Sequence, residues 1–135
     1  GTGWTDFRQI PGGLSGVETR LSLVYQGVLD RRLSLERWVD ATSGSPARLF
    51  GLDGVKGAVR PGLDADLVVF DPGTTRRLDA TNLHSRCDHS PYAGLEVTGW
   101  PAVTISRGDV VAVGGEPADP RPGRGRFVRR TPLRP

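Results

Sequence analysis

The densest gathering of reactive side chains in the sequence is His84, Cys87, Asp88 and His89, spaced H-x-x-C-D-H. Imidazole, thiolate and carboxylate are all zinc ligands, so a metal site is the first chemistry to weigh. A structural zinc centre draws four ligands, commonly as two separated pairs. Here both histidines and the single cysteine fall within one short run, and no second pair exists elsewhere. The run is therefore expected to be a polar connection before Pro91-Tyr92, with Asp88 and Ser90 closing turns. Ser15, Asp88 and His89 supply the residue types of a nucleophilic triad, but Gly13-Leu14-Ser15-Gly16 lacks the G-x-S-x-G elbow. Ser15 is better used as a helix cap. Lys56, the only lysine, is followed by Gly57 without the glycine spacing of a phosphate-binding loop. Arg107-Gly108-Asp109 is spelled like an adhesion tripeptide, yet these are the residues a tight hairpin turn demands. No catalytic residue and no metal ligand is assigned to this chain.

The elements that would carry these residues fall into three zones. Ser15-Gly16-Val17-Glu18 fits the S-x-x-E capping box, followed by an apolar stripe at Val17, Leu21, Val24 and Tyr25 that Gly27 is placed to end. A second helix is expected from Ser34 as N-cap to about Thr42, with Leu33 and Trp38 as a hydrophobic staple. Ser45-Pro46 then reads as a fresh start, with a short helix through Ala47 to Phe50 closed by Gly51. From Ala65 the period changes. Ala65 to Phe70 reads as a buried strand stopped by Asp71-Pro72-Gly73, and Ala102 to Ser106 with Val110 to Val113 reads as a hairpin.

Composition bounds the rest. At 135 residues and 14.5 kDa the chain is about half the ~250 residues of a complete (β/α)8 barrel. No stretch approaches the ~20 apolar residues of a membrane span, so no membrane partner is expected. One cysteine cannot form an internal disulfide and no secretion signal opens the chain, which makes a cytoplasmic setting the default. The sequence has no methionine, so Gly1 is either a processed start or the cut end of a longer polypeptide; a cut end is expected. The net charge of +3 is concentrated in residues 116–135, where Arg121, Arg124, Arg126, Arg129, Arg130 and Arg134 face Glu116 and Asp119. This proline-rich tail reads as an extended segment lying on another surface. It lacks the aromatic ladder of a single-strand nucleic-acid groove.

The order of several segments is specific where each alone is weak. These are Asp6-Phe7-Arg8-Gln9-Ile10-Pro11-Gly12-Gly13, Gly16-Val17-Glu18-Thr19-Arg20, Thr42 through Leu52, Lys56-Gly57 through Pro61-Gly62, Asp64 through Pro72, Gly94 to Gly99, Ser106-Arg107-Gly108 and Pro122 through Phe127. Together they resemble the carboxy-terminal part of the cyclic amidohydrolases, in particular the dihydropyrimidinase and D-hydantoinase group. The resemblance implies an α/β fold class in which the last outer helices of a (β/α)8 barrel are followed by the carboxy-terminal strands of a small β-sandwich. It implies a barrel end over residues 1–56, a sandwich portion over 57–115 and a basic tail over 116–135, the tail packing on neighbouring subunits of a homo-oligomer, a tetramer in this group.

The same resemblance implies a hydrolase that opens a hydantoin or dihydropyrimidine ring with two divalent metal ions, zinc being the expected metal. The family ligands are an early His-x-His, a carboxylated lysine, two later histidines and a barrel-end aspartate, all expected upstream of Gly1. Asp6 and Lys56 do not match those positions. The one carry-over is Gly12: the residue after Ile-Pro offers its main chain to the ring amide of the substrate, although Gly12 and Gly13 also read as an ordinary turn. The fragment alone is expected to bind no metal, to be inactive, and to expose apolar helix faces around Leu21, Val24 and Trp38. A stand-alone β-rich binding module with a nucleic-acid-contacting tail is the alternative.

Overall fold

The computed structural model describes residues 13–119 and 121–131; Gly12 lies outside the described residues. Three helices precede one antiparallel sheet: α1 (Arg20–Leu29), α2 (Leu35–Val39), α3 (Ser45–Leu49), then β1 (Leu67–Arg77), β2 (Glu96–Ser106), β3 (Asp109–Val113) and β4 (Glu116–Pro117). The four strands form a meander in the order β1-β2-β3-β4. The two-residue β4 falls just past the boundary expected at 115.

Helix α1 departs from its expected signals at both ends. Its N-cap is Thr19, with no side-chain cap, and Ser15 and Glu18 form no capping box. Their side chains reach instead to a loop some seventy residues away, at His89 and His84. At the other end the helix runs through Gly27 to Leu29, and the left-handed residue that ends it is Arg31, at φ 58°. Gly27 has a different use. Its carbonyl accepts from the amides of Arg32 (2.8 Å) and Leu33 (2.9 Å), and a Cβ there would meet the Leu33 side chain at 3.0 Å.

Helix α2 starts as expected, with the Ser34 hydroxyl accepting from the Arg37 amide at 3.1 Å. The break expected before Ser45-Pro46 does not occur. The path continues through a wide π-helical turn, Asp40–Gly44, directly into α3, and Ser45 itself is helical. Pro46 explains the widening: it has no N–H to give and its ring would strike the carbonyl four residues back, so the turn opens to accommodate it. Asp40 fastens this turn by accepting from Ser45 Oγ at 2.7 Å and Arg48 Nη2 at 2.6 Å. Gly51 then ends the helix, as its φ of 66° requires.

The sheet also differs in detail. Asp71-Pro72-Gly73 does not stop β1; the strand passes over these residues as a bulge, with register shifts at Val69/Phe70 and Asp71/Thr75. Nor is its first half buried, since Val68 and Val69 are about half exposed. The hairpin expected between β2 and β3 is present. Its two-residue turn, Arg107-Gly108, takes positive φ at both positions (51° and 87°), the combination that matches the strand twist.

Helix and sheet meet through three rings. Tyr25 of α1, Trp38 of α2 and Phe70 of β1 lie with centroids 5.1, 4.9 and 4.8 Å apart in edge-on and tilted pairs. Tyr25 and Trp38 are buried and Phe70 half-buried; burial of such a ring is worth up to ~3 kcal/mol and each pair ~0.5–1.5 kcal/mol more. Trp38 Nε1 donates to the Leu21 carbonyl at 3.1 Å. The expected exposure around Leu21, Val24 and Trp38 is corrected at Trp38, which is buried, while Leu21 and Val24 are half-buried; the apolar side chains left open include Val39, Leu49, Phe50, Val59, Val68 and Val69. A second cluster, Leu78, Val97 and Trp100, lies under Leu23, Leu83 and Tyr92.

Gly99 is where α1 comes down on β2. Its φ is 97°, and a Cβ would fall 2.5 Å from the Tyr25 ring and 2.7 Å from the Phe70 ring. Beside it, past the end of β3, the main chain of Thr98 lacks a neighbouring strand on one side. Gln26 fills that place: its Nε2 donates to the Thr98 carbonyl at 2.8 Å and its Oε1 accepts from the Thr98 amide at 3.3 Å. Gly99→Ala should therefore destabilise the chain by ~2–4 kcal/mol, adding left-handed strain to overpacking. Urea unfolding followed by tryptophan fluorescence measures this, and a change below ~0.5 kcal/mol would contradict the close approach.

Candidate functional site

The residues with reactive side chains are distributed over three polar constellations. In the first, His84 sits between two carboxylates contributed by distant segments. Its Nδ1 lies 3.0 Å from Glu18 Oε1 and its Nε2 lies 3.2 Å from Glu116 Oε2, while its main-chain amide donates to Glu18 Oε2 at 2.8 Å. Ionised carboxylates only accept, so both contacts are made as hydrogen bonds when the ring is protonated at both nitrogens. Hydrogen bonding to Glu18, then to Glu116, raises the affinity of the ring for its proton above that of an ordinary histidine.

This arrangement decides the fate of the H-x-x-C-D-H run. Both ring nitrogens of His84 are occupied, Cys87 is an exposed free thiol, and His89 pairs with its neighbour Asp88, Nδ1 to Oδ1, at 3.0 Å. Among the described residues no three His, Cys, Asp or Glu side chains converge on a point that would hold a metal ion. The described residues therefore do not fit a two-metal centre. The structure does bring Ser15 close to His89, but the Ser15 hydroxyl meets the main-chain carbonyl at 3.5 Å rather than the ring. Asp88 does pair with the His89 ring, but it is fully exposed and the Ser15 hydroxyl does not reach that ring, so the three do not form a nucleophilic relay. The triad remains rejected, although the cap expected to occupy Ser15 is absent.

The second constellation ties the loop before β1 to the hairpin tip. Lys56 Nζ donates to Asp64 Oδ2 at 2.9 Å and to Asp66 Oδ2, and the other Asp66 oxygen accepts from the Arg107 amide at 2.8 Å. The lysine holds the Asp66 carboxyl below the usual carboxylate range, and Asp66 in turn raises the affinity of Lys56 for its proton. Gly108 donates to the Ala65 carbonyl at 3.1 Å. Arg107-Gly108-Asp109 is thus a turn held in place from behind.

The third involves the basic tail, which folds back on its own chain. Asp119 accepts from Arg121 Nε and Arg124 Nη1, each at 2.8 Å, and Arg124 also reaches the Ser106 carbonyl and Asp109. Farther along, the Thr131 amide donates to the Gly51 carbonyl at 2.8 Å. Arg121 and Arg124 are therefore engaged within the chain, while Phe127 is almost wholly exposed. A shallow apolar groove of about 550 Å³ lies between the helices and β1, walled by Trp38, Val39, Phe50, Leu52, Val59 and Phe70.

Geometry alone thus gives a helix and sheet unit with no reaction centre among its described residues. Comparison with known proteins supplies its context. The model of the Amidohydrolase family matches residues 12–111. This chain belongs to the amidohydrolase family. Among curated relatives, a D-phenylhydantoinase of Escherichia coli O1:K1 / APEC is 44% identical over 131 residues, covering 96% of this chain and 28% of that protein. Among solved structures, one described as the structure of D-hydantoinase superposes with a TM-score of 0.89 at 38% identity, covering 96% of this chain and 28% of its own. A D-hydantoinase (dihydropyrimidinase) from Thermus sp. gives 0.86 at 38% identity, covering 94% and 28%. The amidohydrolase chain therefore spans a little over a quarter of the length of the relatives it matches.

Sequence reasoning missed the roles of Glu18 and Glu116 because their partner His84 is 66 and 32 residues away, and the capping-box spelling around Glu18 pointed to a local use. The lysine pair yields a prediction. Asp66→Asn should cost about 1 kcal/mol at pH 7, the modest value of a partly exposed ion pair. A carboxylate with a depressed folded value contributes above its unfolded pKa of ~3.9 and loses that contribution as pH falls through the folded value. The stability curves of variant and native chains should accordingly converge below about pH 4 in urea titrations. A constant gap across that range would contradict the ion pair.

Proposed function

We propose that this chain is the carboxy-terminal part of a hydantoinase- or dihydropyrimidinase-like hydrolase, which breaks a C–N bond in the ring of a small cyclic amide. The observation that carries the reading is the alignment with D-phenylhydantoinase, which runs over nearly the whole chain at 44% identity while leaving most of the relative unmatched. On this reading residues 1–56 end the barrel with its last outer helices, 57–115 give strands to a β-sandwich, and the tail from 116 packs on neighbouring subunits of a cytoplasmic homotetramer. The two divalent metals, with zinc the expected ion, and the residues that hold them belong to polypeptide outside this chain. What these residues add is support: a helix and sheet unit fixed by the Tyr25, Trp38 and Phe70 rings, with an open apolar groove beside it that suits cover by further polypeptide. The paired tail arginines favour packing along protein over a nucleic-acid contact.

A chimera tests the reading. When residues 1–135 replace the matching segment of the Escherichia coli D-phenylhydantoinase, the product should hydrolyse hydantoins with zinc or manganese, and the 135-residue chain alone should not. Turnover by the isolated chain, or a folded metal-loaded chimera without activity, would sink it.

Gly12 is the proposed contact for the ring amide of the substrate, through its main chain. In the chimera Gly12→Asn should stay within about threefold of the unmodified kcat/KM, because a side chain does not alter main-chain donors and acceptors. Gly12→Pro removes the N–H and should lower kcat/KM by about three- to tenfold or more, the value of one hydrogen bond. Steady-state kinetics on both variants decide between this contact and an ordinary turn.

A further inference from the structure

Where the tail folds back, the β2–β3 hairpin turn and residues 121–126 surround an open pocket of about 380 Å³ whose wall carries Arg107, Asp109, Arg121, Arg124 and Arg126. Its charges do not balance. Among the described residues, the side chains within ion-pair distance of these arginines are Asp109 and Asp119, and both are taken by Arg121 and Arg124. Arg121 Nε donates to both Asp119 oxygens at 2.8 Å, and Arg124 Nη1 donates to the same carboxylate at 2.8 Å. Hydrogen bonding from Arg121 holds the Asp119 carboxyl below the usual carboxylate range, so this half of the cluster is ionised and neutral overall.

Arg107 and Arg126 are left over. Arg107 is half-buried; its Nη2 donates to the Arg124 carbonyl, an uncharged group, and its main-chain amide is held by Asp66. Arg124 is itself fixed by Asp119 and the Ser106 carbonyl. An unneutralised guanidinium is thus oriented at the pocket wall by a chain of hydrogen bonds, and it keeps its charge throughout the pH range in which the protein is folded. Arg126, exposed, brings a second positive charge to the same wall. Two surplus cations, one of them already positioned, gain most from an anion with two negative charges and several acceptor oxygens, because a planar guanidinium grips such oxygens in pairs. A carboxylate offers only one charge and two oxygens.

We propose that this pocket, between the Arg107-Gly108 turn and the tail, binds a small dianionic phosphoryl group through Arg107 and Arg126, with Arg121 and Arg124 held by Asp119 as the frame around it. The site is separate from the ring-opening chemistry proposed above and does not depend on it. A free phosphate ion and the phosphate of a small phosphomonoester present the same oxygens to the same guanidinium groups.

The test titrates the 135-residue chain at pH 8 and low ionic strength with inorganic phosphate, glycerol phosphate and acetate, following main-chain amide and arginine Nε–H signals by NMR. Phosphate should give saturable shifts confined to residues 106–109 and 121–126, with a Kd of about 1–10 mM. Acetate should bind at least about fivefold more weakly, and about 0.15 M chloride should weaken phosphate by about threefold or more. Arg107→Gln and Arg126→Gln should each weaken phosphate by about three- to tenfold, the loss of one charge-assisted contact, while Arg130→Gln, outside the pocket, should leave it unchanged. Arg126 makes no hydrogen bond or ion pair with the described residues, so its replacement keeps the fold and its result stands even if Arg107→Gln loosens the tail. Tighter binding of glycerol phosphate than of phosphate identifies a phosphomonoester as the ligand, and the reverse identifies the free ion; either supports the site. Shifts spread equally over Arg129 and Arg130, an equal response to acetate, or an affinity unmoved by Arg126→Gln would overturn it and leave only non-specific attraction of anions. A single-stranded oligonucleotide that binds far more tightly than phosphate and shifts the whole tail would overturn it in favour of a polyanion surface.

Discussion

The close approach of α1 to β2 at Gly99 is the contact on which the rest of the chain depends. A helix can lie this near a strand only where the strand offers no Cβ, and Gly99 sits directly beneath Tyr25 and Phe70. The approach creates the space in which Trp38 closes the three-ring cluster, so α2 is oriented by the same event. It also carries Gln26 to the unpaired stretch of β2, where one amide side chain replaces a missing strand at Thr98. A buried main-chain pair without partners would cost ~1–3 kcal/mol per group, which makes Gln26 a structural residue rather than a surface one.

The polar clusters follow from that docking. Once α1 is fixed, the residues before it are brought to the 84–92 loop, and Glu18 finds His84. The turn at Arg107-Gly108 is held by Asp66, which is itself tied to Lys56, so the loop before β1 and the hairpin tip form one body. Ion pairs at this level of exposure contribute modestly to stability, and their larger effect is to fix relative positions. A platform of this kind suits a protein whose reacting groups lie elsewhere in the polypeptide. The described residues hold no metal-binding cluster, and the relatives that match them are more than three times as long as the match.

Membership of the amidohydrolase family gives meaning to features that would otherwise be anomalies. Val39, Phe50, Val59, Val68 and Val69 are exposed around a groove walled by Trp38 and Phe70, an arrangement unusual for a free-standing small domain. The strand carrying Val68 and Val69 has the β-branched run of a doubly covered strand but is covered on one side by its own chain at most. The tail shows the opposite behaviour. Two of its arginines, Arg121 and Arg124, which suggest a polyanion by composition, are paired with Asp119 and Asp109 beside the hairpin.

Read alone, the sequence determined the order of helices before sheet, the Ser34 cap, the Gly51 stop, the Arg107-Gly108 hairpin and the family, because each rests on neighbours within a few residues or on the order of short motifs. It misplaced the start of α1, the role of Gly27, the break before Pro46 and the end of β1 at Asp71. In three of these the local signal was real but another partner prevailed: His84 drew Glu18 away from a cap, Leu33 closed over Gly27, and β2 carried β1 across its bulge; before Pro46 the helix widened instead of breaking. Only the tertiary structure could decide the His84 clasp, the Lys56 and Asp66 pair and the Gly99 contact. Pairing between groups tens of residues apart is set by how helix and sheet dock, and no periodicity within the chain encodes that geometry.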